Sequence, residues 1–121
     1  MEVMTERQDG VLLVRVSGRI DGSNADAFDD AVGTAIEDDR LDVLMDLEAI
    51  AYISTVGLRT FAKVARKLRG GPARLAICAR PDRTRRVFEV TGFDRVIPIF
   101  PSRAEALAFL ARERSARARG D

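Results

Sequence analysis

Apolar and polar positions along the chain change period several times, and each change marks an element. Residues 2–7 predict a short edge strand, followed by Asp9-Gly10, a dipeptide suited to the positive φ angles of a tight hairpin turn. Val11-Leu12-Leu13-Val14-Arg15-Val16 is mostly apolar and β-branched, which predicts the second strand of a hairpin. Ala25, Phe28, Val32, Ala35 and Ile36 then recur at helical spacing, with Ser23 as the candidate N-cap and Asp26 three residues on. Gly33 weakens that helix slightly.

Leu41-Asp42-Val43-Leu44-Met45-Asp46-Leu47 has few polar interruptions, as expected of a central strand covered on both faces. Residues 48–53 read as a connection. Leu58, Phe61, Ala62, Ala65 and Leu68 mark the inner face of a second helix whose outer side carries Arg59, Lys63, Arg66 and Lys67. Gly70-Gly71-Pro72 stops it, because glycine accepts a left-handed cap and proline cannot continue a helix. Residues 74–79 predict a strand, Pro81 opens a third helix to about Val90, ended near Gly92, and residues 96–100 predict a last strand that Pro98 places at an edge. Ser102 with Glu105 forms a capping box for a final amphipathic helix that turns Leu107 and Leu110 inward. It runs into the arginine-rich end.

The order is a hairpin followed by helix, strand, helix, strand, helix, strand, helix. Such alternation predicts a single α/β domain: a mixed, mostly parallel sheet of four to five strands with about four helices and right-handed crossovers. The domain is placed at residues 1–112, with residues 113–121 as a frayed basic tail.

Composition narrows the chemistry. At 121 residues the chain has room for one core and not comfortably for two. No apolar run approaches the roughly 18 residues of a membrane span, and residues 1–6 lack the basic start and apolar core of a secretory signal, so a cytoplasmic location is expected. Histidine is absent, which removes imidazole bases, histidine metal sites and the Ser-His-Asp and Cys-His nucleophiles. The single cysteine, Cys78, reads as an inert core residue. Neither a metal nor a cofactor is expected, and no enzymatic activity. The net charge of +1 hides a strong polarity: residues 1–60 sum to −8 and residues 61–121 to +9.

The most unusual spot is Ile53-Ser54-Thr55-Val56-Gly57-Leu58, where the chain turns into the second helix. Taken alone, one of the two hydroxyls is a helix cap, worth roughly 1 kcal/mol. The alternative is that one of them takes a phosphoryl group. A phosphate there would lie beside unsatisfied helix N–H groups, so the fold could tolerate it while its surface gained about −1.5 to −2 charges.

Three segments together resemble the STAS domain family, whose best-known members are bacterial anti-sigma factor antagonists. The first is Val16-Ser17-Gly18-Arg19-Ile20-Asp21-Gly22-Ser23-Asn24-Ala25, similar to the family's strand-to-helix segment. The second is Asp46-Leu47-Glu48-Ala49-Ile50-Ala51-Tyr52-Ile53-Ser54-Thr55-Val56-Gly57-Leu58, similar to its phosphorylation segment. The third is Val87-Phe88-Glu89-Val90-Thr91-Gly92-Phe93-Asp94 with residues 99–107. The resemblance spans about Val3 to Leu110.

Carried over by position, the resemblance implies that Thr55 is the phospho-acceptor, with Ser54, where the family usually has aspartate, as the alternative. Val56 stands where the family has a small residue. Asp21, Ser23, Asn24, Ser54, Thr55, Val56, Gly57 and Arg59 are the implied partner-binding residues, although Asp21-Gly22 also reads as a plain turn and Ser23 as a plain cap. The implied mechanism is partner switching. Unphosphorylated, the domain binds an anti-sigma factor or serine/threonine kinase and frees a sigma factor; phosphorylation breaks that complex and a phosphatase restores it. A monomer or weak dimer is expected, with no direct nucleic-acid partner. The alternative within the resemblance is an accessory subunit of a lipid or anion transport complex, or a stress-signalling scaffold.

A phosphorylated receiver domain does not fit, because the only lysines, Lys63 and Lys67, lie on the second helix and no acidic pair follows the first strand. The stretch Glu37-Asp38-Asp39 reads as a solvated helix end. Arg80, Arg83, Arg85 and Arg86, like the tail, read as a solvated basic face, since aromatics and a nucleic-acid motif are missing there.

Overall fold

A computed structural model describes residues 1–36, 41–82 and 84–120. Glu37-Asp38-Asp39 and Arg83 therefore lie outside the described residues. The chain runs β1 (Glu2–Gln8), β2 (Val11–Ile20), α1 (Ala25–Ala35), β3 (Asp42–Ile53), α2 (Leu58–Leu68), β4 (Leu75–Cys78), α3 (Arg85–Thr91), a 3-10 turn (Phe93–Arg95), β5 (Ile99–Phe100) and α4 (Arg103–Ala118). The strands lie in sequence order, β1 antiparallel to β2 and the other neighbours parallel. The expected hairpin turn is there: Asp9 and Gly10 both take positive φ, 52° and 80°.

Alternation along the strands feeds two unequal cores. One face presents Val14, Val43, Met45 and Ile77 to α1, α2 and α3, where Phe28, Phe61 and Phe88 form a continuous row with ring centroids 5.6 and 5.3 Å apart. The other presents Val11, Leu13, Leu44, Ala76 and Cys78 to Ala106 and Leu110 of α4. Leu107 is only half-buried at the margin of that smaller core.

Five expectations are corrected. Residues 48–53 are not a connection but the second half of β3, because β2 continues to Ile20 alongside them. The register shifts between Arg15 and Ser17 and again between Gly18 and Arg19, Gly18 with φ of 93°, so the apolar alternation breaks while the pairing persists. Ser23 is not the cap of α1; Asn24 holds that position. The third helix begins at Arg85, after a turn at Pro81, and the last strand shrinks to two residues because the chain through Val96 closes the 3-10 turn. Finally, α4 runs on to Ala118 where a frayed tail is expected. Arg117 reaches both oxygens of the buried Asp42 at 3.0 Å, and Arg114 donates to the Asp9 carbonyl.

These ties dissolve much of the charge polarity. Asp42 pairs with Arg117, Asp46 with Arg103 at 2.8 Å and Asp29 with Lys63 at 2.9 Å, each joining the acidic first half to the basic second half. The partners are distant in sequence and adjacent in space. Capping of α4 is as expected, the Glu105 N–H donating to Ser102 Oγ at 3.3 Å.

Candidate functional site

Parallel strands deliver their carboxyl ends to one side of the sheet, and the helices that follow begin there. At the ends of β2 and β3 two turns therefore lie side by side: residues 21–24, leading into α1, and residues 54–57, leading into α2. The Ser54 N–H donates to the Ile20 carbonyl at 2.8 Å and binds the second turn to the first.

Gly57 explains how closely they meet. Its φ of −65° is open to any residue, yet an added Cβ would stand 2.6 Å from Cγ2 of Ile20 and 3.4 Å from that of Ile53. Both isoleucines are buried ends of their strands. Glycine is there for the close approach of the helix start to the sheet.

The two hydroxyls have different surroundings. Ser54 is half-buried, and its Oγ and carbonyl both accept the Gly57 N–H, at 3.3 and 3.1 Å. Thr55 is exposed, and its hydroxyl makes no hydrogen bond among the described residues. Bonds from Leu58, Arg59 and Thr60 to the carbonyls three residues back carry the turn into α2. So the Ser54 hydroxyl is committed to the turn that leads into α2, whose N-cap position is Gly57, and Thr55 carries the open hydroxyl, a distinction that the sequence left undecided. Val56 is 41% exposed beside it, and Arg59 folds back so that its Nε lies 3.4 Å from the Val56 carbonyl.

The neighbouring turn satisfies itself. Asp21 Oδ1 accepts from the Ser23 N–H at 2.9 Å and the Ser23 hydroxyl at 2.6 Å; Asn24 Oδ1 accepts from the Asp21 N–H, and Asn24 Nδ2 donates to the Arg19 carbonyl. The Ser23 hydroxyl bond, then the Ser23 N–H, hold the Asp21 carboxyl below its ordinary value. Asp21, Ser23 and Asn24 thus build the turn, with Ser23 exposed and Asp21 and Asn24 half-buried.

Sequence reasoning did not single out Ile20, whose carbonyl and methyl group seat the second turn, or Asp29. Asp29 accepts from Thr60 Oγ1 at 2.8 Å and from Lys63 Nζ at 2.9 Å, tying α1 to the first turns of α2. Arg19 and Tyr52, with the guanidinium 4.6 Å from the ring centroid, also escaped notice at the edge of the site. Such contacts join residues more than thirty positions apart, and only the alternation of strand and helix in the sequence hinted that these ends meet.

A second polar cluster lies under the start of α4. Ligand atoms of Asp46, Glu48 and Cys78 fall within 4.8 Å of one another. Their charge is met by Arg103, which donates to Asp46 Oδ2 from Nε at 3.1 Å and Nη2 at 2.8 Å and from its backbone N–H to Glu48 at 3.2 Å. Burial, reinforced by both carboxylates, pushes the Cys78 thiol far up and keeps it protonated. The arginine supplies the cation that these carboxylates face.

What the geometry defines is a small α/β module presenting an exposed hydroxyl on a turn between sheet and helix. Residues 2–106 match the model of the STAS domain, and the chain belongs to that family. It is 31% identical over 108 residues to the candidate anti-sigma factor antagonist BtrV of Bordetella bronchiseptica, spanning 89% of this chain and 93% of that one. With the anti-sigma-F factor antagonist RsfB of Mycobacterium tuberculosis it shares 29% identity over 99 residues, 82% of this chain and 80% of the other. A crystal structure of an anti-sigma factor antagonist from Mycobacterium paratuberculosis superimposes with a TM-score of 0.85 at 33% identity, over 91% of this chain and 93% of that one. The expected family and fold class are borne out. Among the described residues, no helix is long and apolar enough to cross a membrane.

Proposed function

We propose that this protein is a cytoplasmic anti-sigma factor antagonist without catalytic activity of its own that works by partner switching, with Thr55 as its phospho-acceptor. The observation that carries the reading is the exposed Thr55 hydroxyl, unpartnered among the described residues, beside a Ser54 hydroxyl already committed to the turn. In the unphosphorylated state the surface formed by Asp21, Ser23, Asn24, Ser54, Thr55, Val56 and Arg59, over the buried Gly57, receives an anti-sigma factor or serine/threonine kinase. The kinase transfers the γ-phosphoryl of ATP: the Thr55 Oγ1–P bond forms as the bond to the β-phosphate oxygen breaks, the hydroxyl proton passes to the kinase's base, and ADP leaves. A dianion in the middle of the contact must then be desolvated and meets any facing carboxylate with repulsion, which lowers affinity by several kcal/mol. A phosphatase reverses the step.

The test uses the anti-sigma factor and kinase encoded in the same genome. Mass spectrometry after incubation with kinase and ATP is expected to find one phosphate on Thr55, and none on a Thr55→Ala chain. In calorimetry Thr55→Glu should bind the anti-sigma factor at least tenfold more weakly than Thr55→Ala, which keeps the unmodified affinity. A phosphate on Ser54, or equal affinities for the two variants, overturns the assignment.

A further inference from the structure

Three cations stand on or next to the paired turns, and they are not equivalent. Arg19 is stacked over Tyr52, with its guanidinium carbon 4.6 Å from the ring centroid. Lys63 is bound to Asp29 at 2.9 Å. Arg59 has no ion pair among the described residues; its single hydrogen bond there is the long one, 3.4 Å, from Nε to the Val56 carbonyl. That contact bends the side chain back along the turn, toward the residue that follows Thr55. The helix holding Arg59, Leu58-Arg59-Thr60-Phe61-Ala62-Lys63-Val64-Ala65-Arg66-Lys67-Leu68, contains no carboxylate that could compete for it. Of the nearby carboxylates, Asp29 is hydrogen-bonded by Lys63 and Thr60 and feels Arg59 only as a weaker, longer-range charge, and Asp21 accepts from Ser23.

We propose that Arg59 is the internal counter-ion of the phosphoryl group on Thr55, its guanidinium leaving the Val56 carbonyl to bind the phosphate oxygens. The proposal rests on the reading of Thr55 as phospho-acceptor and adds how the modified turn is arranged. Guanidinium and phosphate match as a planar fork on two oxygens, a charge-assisted pairing stronger than the neutral carbonyl contact that it replaces. Phosphorylation then changes the surface twice. It adds the dianion, and it withdraws from any partner a cation that the unmodified turn offered.

The test needs neither kinase nor partner. Phosphothreonine is installed at position 55 by ligation or co-translationally, in chains with Arg59, Arg59→Gln and Arg59→Lys, and the phosphate is titrated by phosphorus NMR. Its second ionisation, ordinarily near 6, should fall lower with Arg59 than with glutamine by about half a unit or more. Lysine should lie between, and added salt should shrink the difference. The Arg59 Nε resonance should move on phosphorylation. Superimposable titrations for Arg59 and Arg59→Gln, or an unmoved Nε resonance, overturn the proposal. Arg59 is exposed, so the variants are expected to fold, and their amide spectra check it. If phosphorylation fails to weaken anti-sigma factor binding, partner switching fails while the NMR result stands; if the titrations coincide, the counter-ion fails while partner switching stands.

Discussion

The two turns at the carboxyl ends of β2 and β3 are built from similar polar residues and use them in opposite ways. Residues 21–24 turn their side chains inward on their own backbone: the Asp21 carboxylate, the Ser23 hydroxyl and the Asn24 amide all bond within the turn or to Arg19. Residues 54–57 spend only Ser54 on the backbone and present Thr55 and Val56 outward. A turn that satisfies itself is a scaffold, and a turn that leaves a hydroxyl open has chemistry to offer. The end of β2, just before the first turn, holds the second through the Ile20 carbonyl, and at Thr55 only the backbone carbonyl is bonded among the described residues, so the hydroxyl is left open.

The strongest way to break that arrangement is to separate the turns. Gly57→Ala places a methyl group 2.6 Å from Ile20 Cγ2, a branch of a fully buried side chain. Overpacking of this kind costs about 1 to 3 kcal/mol. Urea unfolding should show it as a lower midpoint at unchanged slope. If the strain were relieved by Ile20, the double variant Gly57→Ala with Ile20→Val would recover part of the loss; a Gly57→Ala chain as stable as the parent would mean that the turns are not in contact at this point.

Next in size is the contrast inside the open turn. Ser54→Ala removes one of the two acceptors of the Gly57 N–H and leaves the carbonyl, and should cost about 0.5 to 1 kcal/mol. Asn24→Ala, which loses bonds to Asp21 and Arg19, should cost a similar amount, about 1 kcal/mol. Thr55→Ala should stay within about 0.5 kcal/mol of the parent, because that hydroxyl has nothing to lose. Equal losses at Ser54 and Thr55 in urea unfolding would erase the distinction on which the acceptor assignment rests.

Which parts were legible in the sequence follows from what each depends on. The helix of Leu58–Leu68 and the cap Ser102 with Glu105 are local patterns, and both appear where periodicity and capping put them. Residues 48–53 look like a connection because Ala49, Ala51 and Tyr52 face solvent beyond the reach of α4; the pairing with Ser17–Ile20 that makes them a strand is supplied by the neighbour. Ser23 and Asn24 are both residues favoured at caps, and neither side chain caps α1: each is spent on the turn, Ser23 on Asp21 and Asn24 on Asp21 and Arg19. The helical arginine-rich end depends on Arg117 meeting Asp42, a pair 75 positions apart. The site was legible as a segment, since Ser54, Thr55 and Gly57 are consecutive enough to stand out. The separation of the committed from the open hydroxyl was not, because it depends on how the turn is wound, which brings the Ser54 hydroxyl and not that of Thr55 to the Gly57 N–H.

The smallest effect is the response of the two turns to acid. Hydrogen bonds from Ser23 hold the Asp21 carboxyl below its ordinary 3.8, so the charged form is the one that the fold favours. A depressed carboxyl contributes stability that is present above the unfolded value and disappears as pH falls through the folded value. The Ser23 N–H, bonded to that carboxylate, should therefore shift in proton NMR as the pH falls below about 4. The Gly57 N–H, bonded to a serine hydroxyl and a carbonyl with no titrating group, should stay put over the same range. Asp29, lowered by Lys63 and then Thr60, follows the same sign and loosens the tie between α1 and α2 over the same range. Asp29→Asn should therefore flatten the acid limb of the melting curve without moving Gly57. If the Gly57 resonance titrated together with that of Ser23, the second turn would depend on the charge of the first, and acid alone would disturb the surface around Thr55.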